Sequence, residues 1–230
     1  VPSAPISAVE FLKNLPMFRE LEAPQLERLA AGTREIRVPT GTIVFRRGDA
    51  ALGMHAVVYG QVKLALTTPD GGEKVVEIVG PGGSFGEAVM FLEKPYYVSA
   101  EVLADALLLF VSRAAIFAEI EASPQFARRM LAGLSMRLHR LIGDVEALSL
   151  KSGTERVVGY LLRDCPDSGP GAQSIELRLP VAKGVLASRL NLTREHFSRI
   201  LHDLSAAGLI RVAGRSIRIL DVPRLRAWRP

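Results

Sequence analysis

Between residues 131 and 148 the apolar residues Leu131, Leu134, Leu138, Leu141, Val145 and Leu148 follow one another in steps of 3, 4, 3, 4 and 3, the a/d seam of a coiled coil. The stretch from just after Pro124 to about Leu150 has no further proline and only Gly133 and Gly143 as glycines, each costing about 1 kcal/mol relative to alanine in a helix interior. An amphipathic helix lying on its own domain shows a wider apolar stripe. This one is therefore expected to pair with a second copy, which makes the protein a homodimer.

The helix also divides the chain, because the sequence on its two sides differs in texture. Residues 7 to 31 carry two short helical patterns, SAVEFLKNL and PQLERLAA, the second opened by Pro24, which suits a first helical turn. From Ile36 to Val111 the runs become short and β-rich: TIVF, MHAVVY, QVKLALT, KVVEIV, YYVSAEVL and ALLLFV. Turns are expected at Pro39–Gly41, Arg47–Asp49, Asp70–Gly72 and Gly80–Gly83. Many short strands at this spacing indicate a sandwich or barrel.

Beyond Leu150 the charge changes. Up to that residue there are 15 Lys and Arg against 17 Asp and Glu; after it there are 14 against 7, so a segment at −2 precedes one at +7. Concentrated positive charge attracts a phosphate backbone. A membrane surface competes weakly, because the basic residues are dispersed through folded elements and form no polybasic run. The most apolar stretch, Ala104 to Ile120, is interrupted by Asp105, Arg113 and Glu119 and is too short to span a bilayer. The start, VPSAPISAVEF, lacks the pattern of a secretory signal. A single cysteine, Cys165, is incompatible with an internal disulfide framework, a zinc site built from several cysteines or an all-cysteine iron–sulfur cluster. A reducing, cytoplasmic compartment is expected.

The basic segment reads as a helix (ERVVGYLLRD), a turn-rich loop (Cys165 to Ala172) and a strand with Ile175, Leu177 and Leu179 on one face. A helix follows (VAKGVLASRL), then a break at Asn191–Thr193, a second helix (REHFSRILHDLSAAG) and a hairpin around Ala213–Arg215. Thr193 is a natural N-cap, Glu195 sits in the first turn and Gly208 is a natural stop. Helix, turn, helix and hairpin make a winged helix-turn-helix. In its second helix Phe197, Ile200, Leu201 and Leu204 fall at i, i+3, i+4 and i+7 and face the core. Arg194, Glu195, Ser198, Arg199 and His202 then point outward, where a recognition helix meets the major groove. Arg199 can offer two donors to guanine, Glu195 can accept from cytosine N4, and Ser198 can serve several base edges. The bland reading of the same residues is an i,i+4 Glu195–Arg199 ion pair on a solvated helix. Thr193, Arg194 and His202 would support these contacts, and Arg211, Arg215 and Arg218 on the wing are expected at phosphates.

Taken together, LPMFREL, GTIVFRRGD, GQVKL, FGEAVMF, the long helix and TREHFSRILHDLSAAGLI resemble the CRP/FNR superfamily of bacterial transcription regulators over nearly the whole chain. The resemblance implies an α+β protein of three parts. These are a cyclic-nucleotide-binding-type, jelly-roll-like β-roll that senses an effector (1–115), a coiled-coil dimerisation helix (116–150) and a winged helix-turn-helix that binds double-stranded DNA (151–230). Glu195, Ser198 and Arg199 match the E-x-x-S-R pattern of the branch that reads TTGAT half-sites in an inverted repeat, and the usual family role implies contact with RNA polymerase.

For the effector, cyclic-AMP binders use Gly-Glu at the start of a short helix and Arg-Ser about ten residues later. Gly86 and Glu87 are present, but Tyr97 and Val98 stand at the other two positions. A phosphate buried without that arginine is costly, so a cyclic nucleotide is disfavoured. Cys165 alone cannot supply an oxygen-sensing cluster. The segments GEAVMFLEKPYYVSAEV and LSMRLHRLIGDVEALSLKSGTERVVGYLL are similar to the dissimilative-nitrate-respiration branch, which implies haem and nitric oxide, with His139 as the axial candidate ahead of His55. Three alternatives stay open: another small effector, a ligand-independent regulator with a vestigial pocket, and an enzyme or small-molecule binder that uses the β-roll. Against an enzyme, the sequence holds no G-x-x-x-x-G-K-[ST], G-x-S-x-G or H-E-x-x-H motif.

Overall fold

The computed structural model describes residues 7–15, 18–19, 21–67, 72–163 and 174–228. The chain forms two compact units, Val1–Arg140 and Leu141–Pro230.

In the first unit two short helices, α1 (Ala8–Asn14) and α2 (Ala23–Ala31), precede six strands: β1 (Thr33–Val38), β2 (Ile43–Phe45), β3 (Gly53–Thr67), β4 (Glu73–Val79), β5 (Ser84–Phe85) and β6 (Ser99–Ser112). Helix α3 (Glu87–Phe91) lies between β5 and β6, and α4 (Arg113–Ala122) follows β6. The strands make one antiparallel sheet in the order β1-β6-β3-β4, with β2 also on β6 and β5 also on β3. Its apolar residues, among them Met54, Val57, Val62, Phe85, Val102 and Leu108, form one core with Leu12, Leu29 and Phe126 from the helices. This is the expected roll.

The pairs of short strands expected at MHAVVY and QVKLALT, and at YYVSAEVL and ALLLFV, are instead two long strands, β3 and β6. Gly60 has φ +87, and a Cβ there would lie 2.5 Å from the Asp105 carbonyl oxygen. The register between β3 and β6 shifts around it, between Val57 and Val62. A bulge lets the strand bend while pairing continues, where the sequence suggests a turn. The turn expected at Asp70–Gly72 lies mostly outside the described residues.

The segment 116–150 holds the rest of α4 and all of α5 (Pro124–Leu150). The division between the two units falls inside α5. Phe126 and Met130 of α5 are buried in the first unit's core. Of the expected seam, Leu131, Leu138, Leu141, Val145 and Leu148 are exposed, Leu138 to 60% and Val145 to 62%, and Leu134 is half-buried. Ile142 is exposed beside the seam and widens it on one flank, whereas Met136 and Leu150 are exposed on the far side of the helix.

The second unit continues with α6 (Gly153–Leu162), β7 (Ile175–Arg178), α7 (Lys183–Arg189), α8 (Arg194–Ala206), β8 (Ile210–Ala213), β9 (Ser216–Ile219) and α9 (Val222–Ala227). Ser152 and Glu155 cap α6 reciprocally, a capping box. Three antiparallel strands, β7-β9-β8, form the wing, with Gly214 at φ +60 in its turn. Cys165 and the loop to Ala172 lie outside the described residues. No helix among the described residues is long and apolar enough to cross a membrane.

Candidate nucleic-acid interface and effector site

Helix α8 is held from its first turn. The Thr193 hydroxyl accepts a hydrogen bond from the His196 backbone N–H at 3.1 Å, and Asn191, at φ +57, turns the chain sharply out of α7. Phe197, Ile200, Leu201 and Leu204 are all buried, so the expected face packs inward. The opposite face exposes Arg194, Glu195, Ser198, Arg199 and His202. Among the described residues Glu195 and Arg199 form no ion pair with each other, so both present free hydrogen-bonding groups at the positive end of the helix.

The wing presents one basic face. Antiparallel register sets Glu176 beside Arg218 and Arg218 beside Arg211, and Arg178 beside Ser216, so these residues share a side of the sheet while Ile217 and Ile219 are buried on the other. Glu176 takes a hydrogen bond from the Ser216 hydroxyl at 2.5 Å and pairs with Arg218 at 3.3 Å. The Ser216 hydrogen bond and then Arg218 hold its carboxyl below the usual range. Arg218 is thus shared with Glu176, whereas Arg211 and Arg215 make no ion pair among the described residues. A recess of about 500 Å³ near the hairpin tip is lined by Glu176, Arg178, Ala213, Arg215 and Ser216. Arg178 was missed by the sequence reading, although the inward alternation of Ile175 and Leu177 already implies that it faces out.

In the β-roll, Gly86 takes φ +91 as the N-cap of α3, and a Cβ there would crowd the Tyr96 hydroxyl at 3.3 Å. Glu87 follows and is 2% exposed. Its Oε1 accepts from Arg137 of α5, whose guanidinium also donates to Glu77 and to the Ser84 carbonyl. Burial opposes the charge of Arg137, but Glu87 and Glu77 outweigh it and hold the guanidinium above its usual range. Glu87 Oε2 has no hydrogen-bond partner. The family resemblance places Tyr97 and Val98 at this site. Tyr97 is 56% exposed and Val98 is half-buried, and neither contributes a charge. Arg137, which does, was missed; the only hint is its place beside Leu138, on the flank of the seam.

His139 and His55, the two expected axial candidates, differ in their surroundings. His139 is exposed on α5 and makes no hydrogen bond or ion pair among the described residues. His55 is 6% exposed, with Nδ1 unpartnered, but it is packed by the rings of Phe85, Phe110 and Phe45 at 5.0, 5.1 and 5.8 Å. An axial ligand needs open space over its nitrogen for the porphyrin, which the rings packed around His55 do not leave. Among the described residues no group of three or more His, Cys, Asp or Glu could hold a metal ion.

Residues 35–123 match the cyclic nucleotide-binding domain family, and residues 155–228 match the Crp-like helix-turn-helix domain family. The chain is 36% identical to DNR from Pseudomonas aeruginosa, with 96% of each chain covered and a TM-score of 0.53. It is 27% identical to the c-di-GMP responsive global regulator CLP of Xanthomonas campestris, covering 87% of this chain and 100% of that one, with a TM-score of 0.71. It is 26% identical to the CRP-like cAMP-activated global transcriptional regulator of Mycobacterium tuberculosis, over 94% of this chain and 97% of that protein. The highest of these identities and the highest TM-score belong to different relatives, so no single branch stands out.

Proposed function

The chain belongs to the CRP/FNR superfamily of DNA-binding transcription regulators, and from that premise we propose that it acts as a homodimer reading an inverted repeat of TTGAT-like half-sites, under control of a small effector in the β-roll. It is a regulator and not an enzyme. The observation that carries the reading is the capped α8, which offers Glu195, Ser198 and Arg199 unobstructed on a unit rich in arginine. Arg199 and Glu195 supply direct readout, while Arg194, His202, Arg211 and Arg215 position the helix on phosphates. Contact with RNA polymerase belongs to the same proposal.

The effector reading rests on Glu87. The one guanidinium of the cluster, Arg137, is already paired with Glu77 and Glu87, so a cyclic phosphate meets no unpaired cation there. A ligand bearing hydrogen-bond donors suits the unpartnered Glu87 Oε2 better. Haem and nitric oxide rest on the family resemblance alone. A ligand-independent regulator is the second reading, favoured because Arg137 already satisfies half of Glu87 from within the chain.

Competition between a TTGAT inverted repeat and a scrambled duplex tests base reading. Arg199→Ala is expected to lose about 1–3 kcal/mol of discrimination per half-site. An unchanged preference contradicts the assignment.

A further inference from the structure

Inside the second unit, the last turns of α5 are joined to the helix-turn-helix by two arginines. Arg189, the final residue of α7, places Nη2 2.5 Å from Oδ2 of Asp144 on α5, and both side chains are half-buried. Arg156 of α6 directs each of its three guanidinium nitrogens at a backbone carbonyl. Nη1 donates to Lys151 at 2.7 Å, just past the end of α5; Nε donates to Leu190 at 2.9 Å and Nη2 to Asn191 at 3.3 Å, in the turn between α7 and α8. The C-terminal ends of α5 and α7 carry partial negative charge, which a cation stabilises.

The placement of these links matters more than their strength. Asp144 is the immediate neighbour of Val145 in the exposed seam, and Asn191 lies two residues before Thr193, the N-cap of the recognition helix. The brace thus begins at the proposed dimer seam and ends at the base-reading helix, within one compact unit.

We propose that Arg156 and the Arg189–Asp144 pair fix the separation and angle of the two recognition helices in the dimer, and so select the spacing between half-sites. This rests on the dimeric, inverted-repeat reading above. Two-fold dimers address half-sites about 34–36 Å apart, one turn of 10–10.5 base pairs. Adding one base pair moves a half-site by about 3.4 Å along the duplex and rotates it by roughly a tenth of a turn. A stiff arm tolerates neither change, whereas a loose arm tolerates both. A brace that served stability alone would lower the melting temperature without altering which spacing is preferred.

The test is fluorescence-anisotropy competition with duplexes carrying two TTGAT half-sites at the spacing the parent protein prefers and at one base pair more and fewer, plus a single half-site duplex. The proteins are the parent, Arg189→Ala, Asp144→Asn, Arg156→Lys and the exchange Asp144→Arg with Arg189→Asp. Lysine keeps the charge at 156 but cannot bridge three carbonyls. The three single variants are expected to sediment as dimers, keep parental affinity for the single half-site and lose about tenfold of the spacing preference, the scale of one charged hydrogen bond. The exchange variant is expected to recover it. Folded dimeric variants that keep the parental spacing ratio overturn the proposal. A parent that binds no inverted repeat at any spacing overturns the functional reading, and this inference falls with it.

Discussion

His55 shows at the residue scale how a buried titratable group can be read out in stability. Burial, and then the charge of Arg34, lower its pKa to about 4 from an ordinary 6.5. Between those values the unfolded chain binds the proton and the folded chain does not, so stability falls as the pH drops below about 6.5 and is fully present above it. Urea unfolding at pH 7.5 and pH 5 is expected to show a loss on the order of 2 kcal/mol that His55→Leu abolishes; an identical pH dependence in the variant contradicts the assignment. Arg137 teaches a different lesson. The faces of α8 were legible in the sequence because helical periodicity is local, and burying Phe197, Ile200, Leu201 and Leu204 leaves Glu195, Ser198 and Arg199 no other direction. Arg137 meets Glu87 and Glu77 across 50 and 60 residues of chain, and no local pattern carries that meeting. Tyr97 and Val98 are expected at the site because the family's Arg-Ser positions fall on them, while the charge comes from another element.

Among the elements, α5 makes the strongest demand. An exposed band containing Leu131, Leu138, Leu141, Ile142 and Val145 is larger than scattered surface residues explain and marks an interface. Leu138→Asp is expected to convert dimers to monomers in sedimentation velocity; a dimer of parental stability contradicts the seam. The boundaries of α5, the cap of α8 and the wing hairpin could all be read in advance, since proline, Thr193 and glycine act on their immediate neighbours. The continuity of β3 and β6 could not. Gly60 and Asp105 interrupt the apolar pattern and suggest turns, yet pairing persists through the register shifts around Gly60, a tertiary effect that outweighs local signals.

For the whole molecule, the division of charge is the property that reaches furthest. The net +5 of the chain conceals −2 up to Leu150 and +7 beyond it, so the electrostatic part of DNA binding is expected from the residues after Leu150. Arg215, exposed at the wing turn, is expected to contribute one phosphate contact per protomer. Arg215→Ala should therefore weaken specific and scrambled duplexes alike and reduce the slope of log affinity against log salt by about 2 for the dimer; a loss confined to one sequence would instead make it a base reader. The central claim joins seam, recognition helix and charge in one species: two copies of the chain on one inverted repeat. Sedimentation equilibrium of the protein with a duplex carrying paired TTGAT half-sites measures this directly. Two chains per duplex, with the complex lost when both half-sites are scrambled, is the expected result. One chain per duplex, or a complex indifferent to the scrambling, would contradict it.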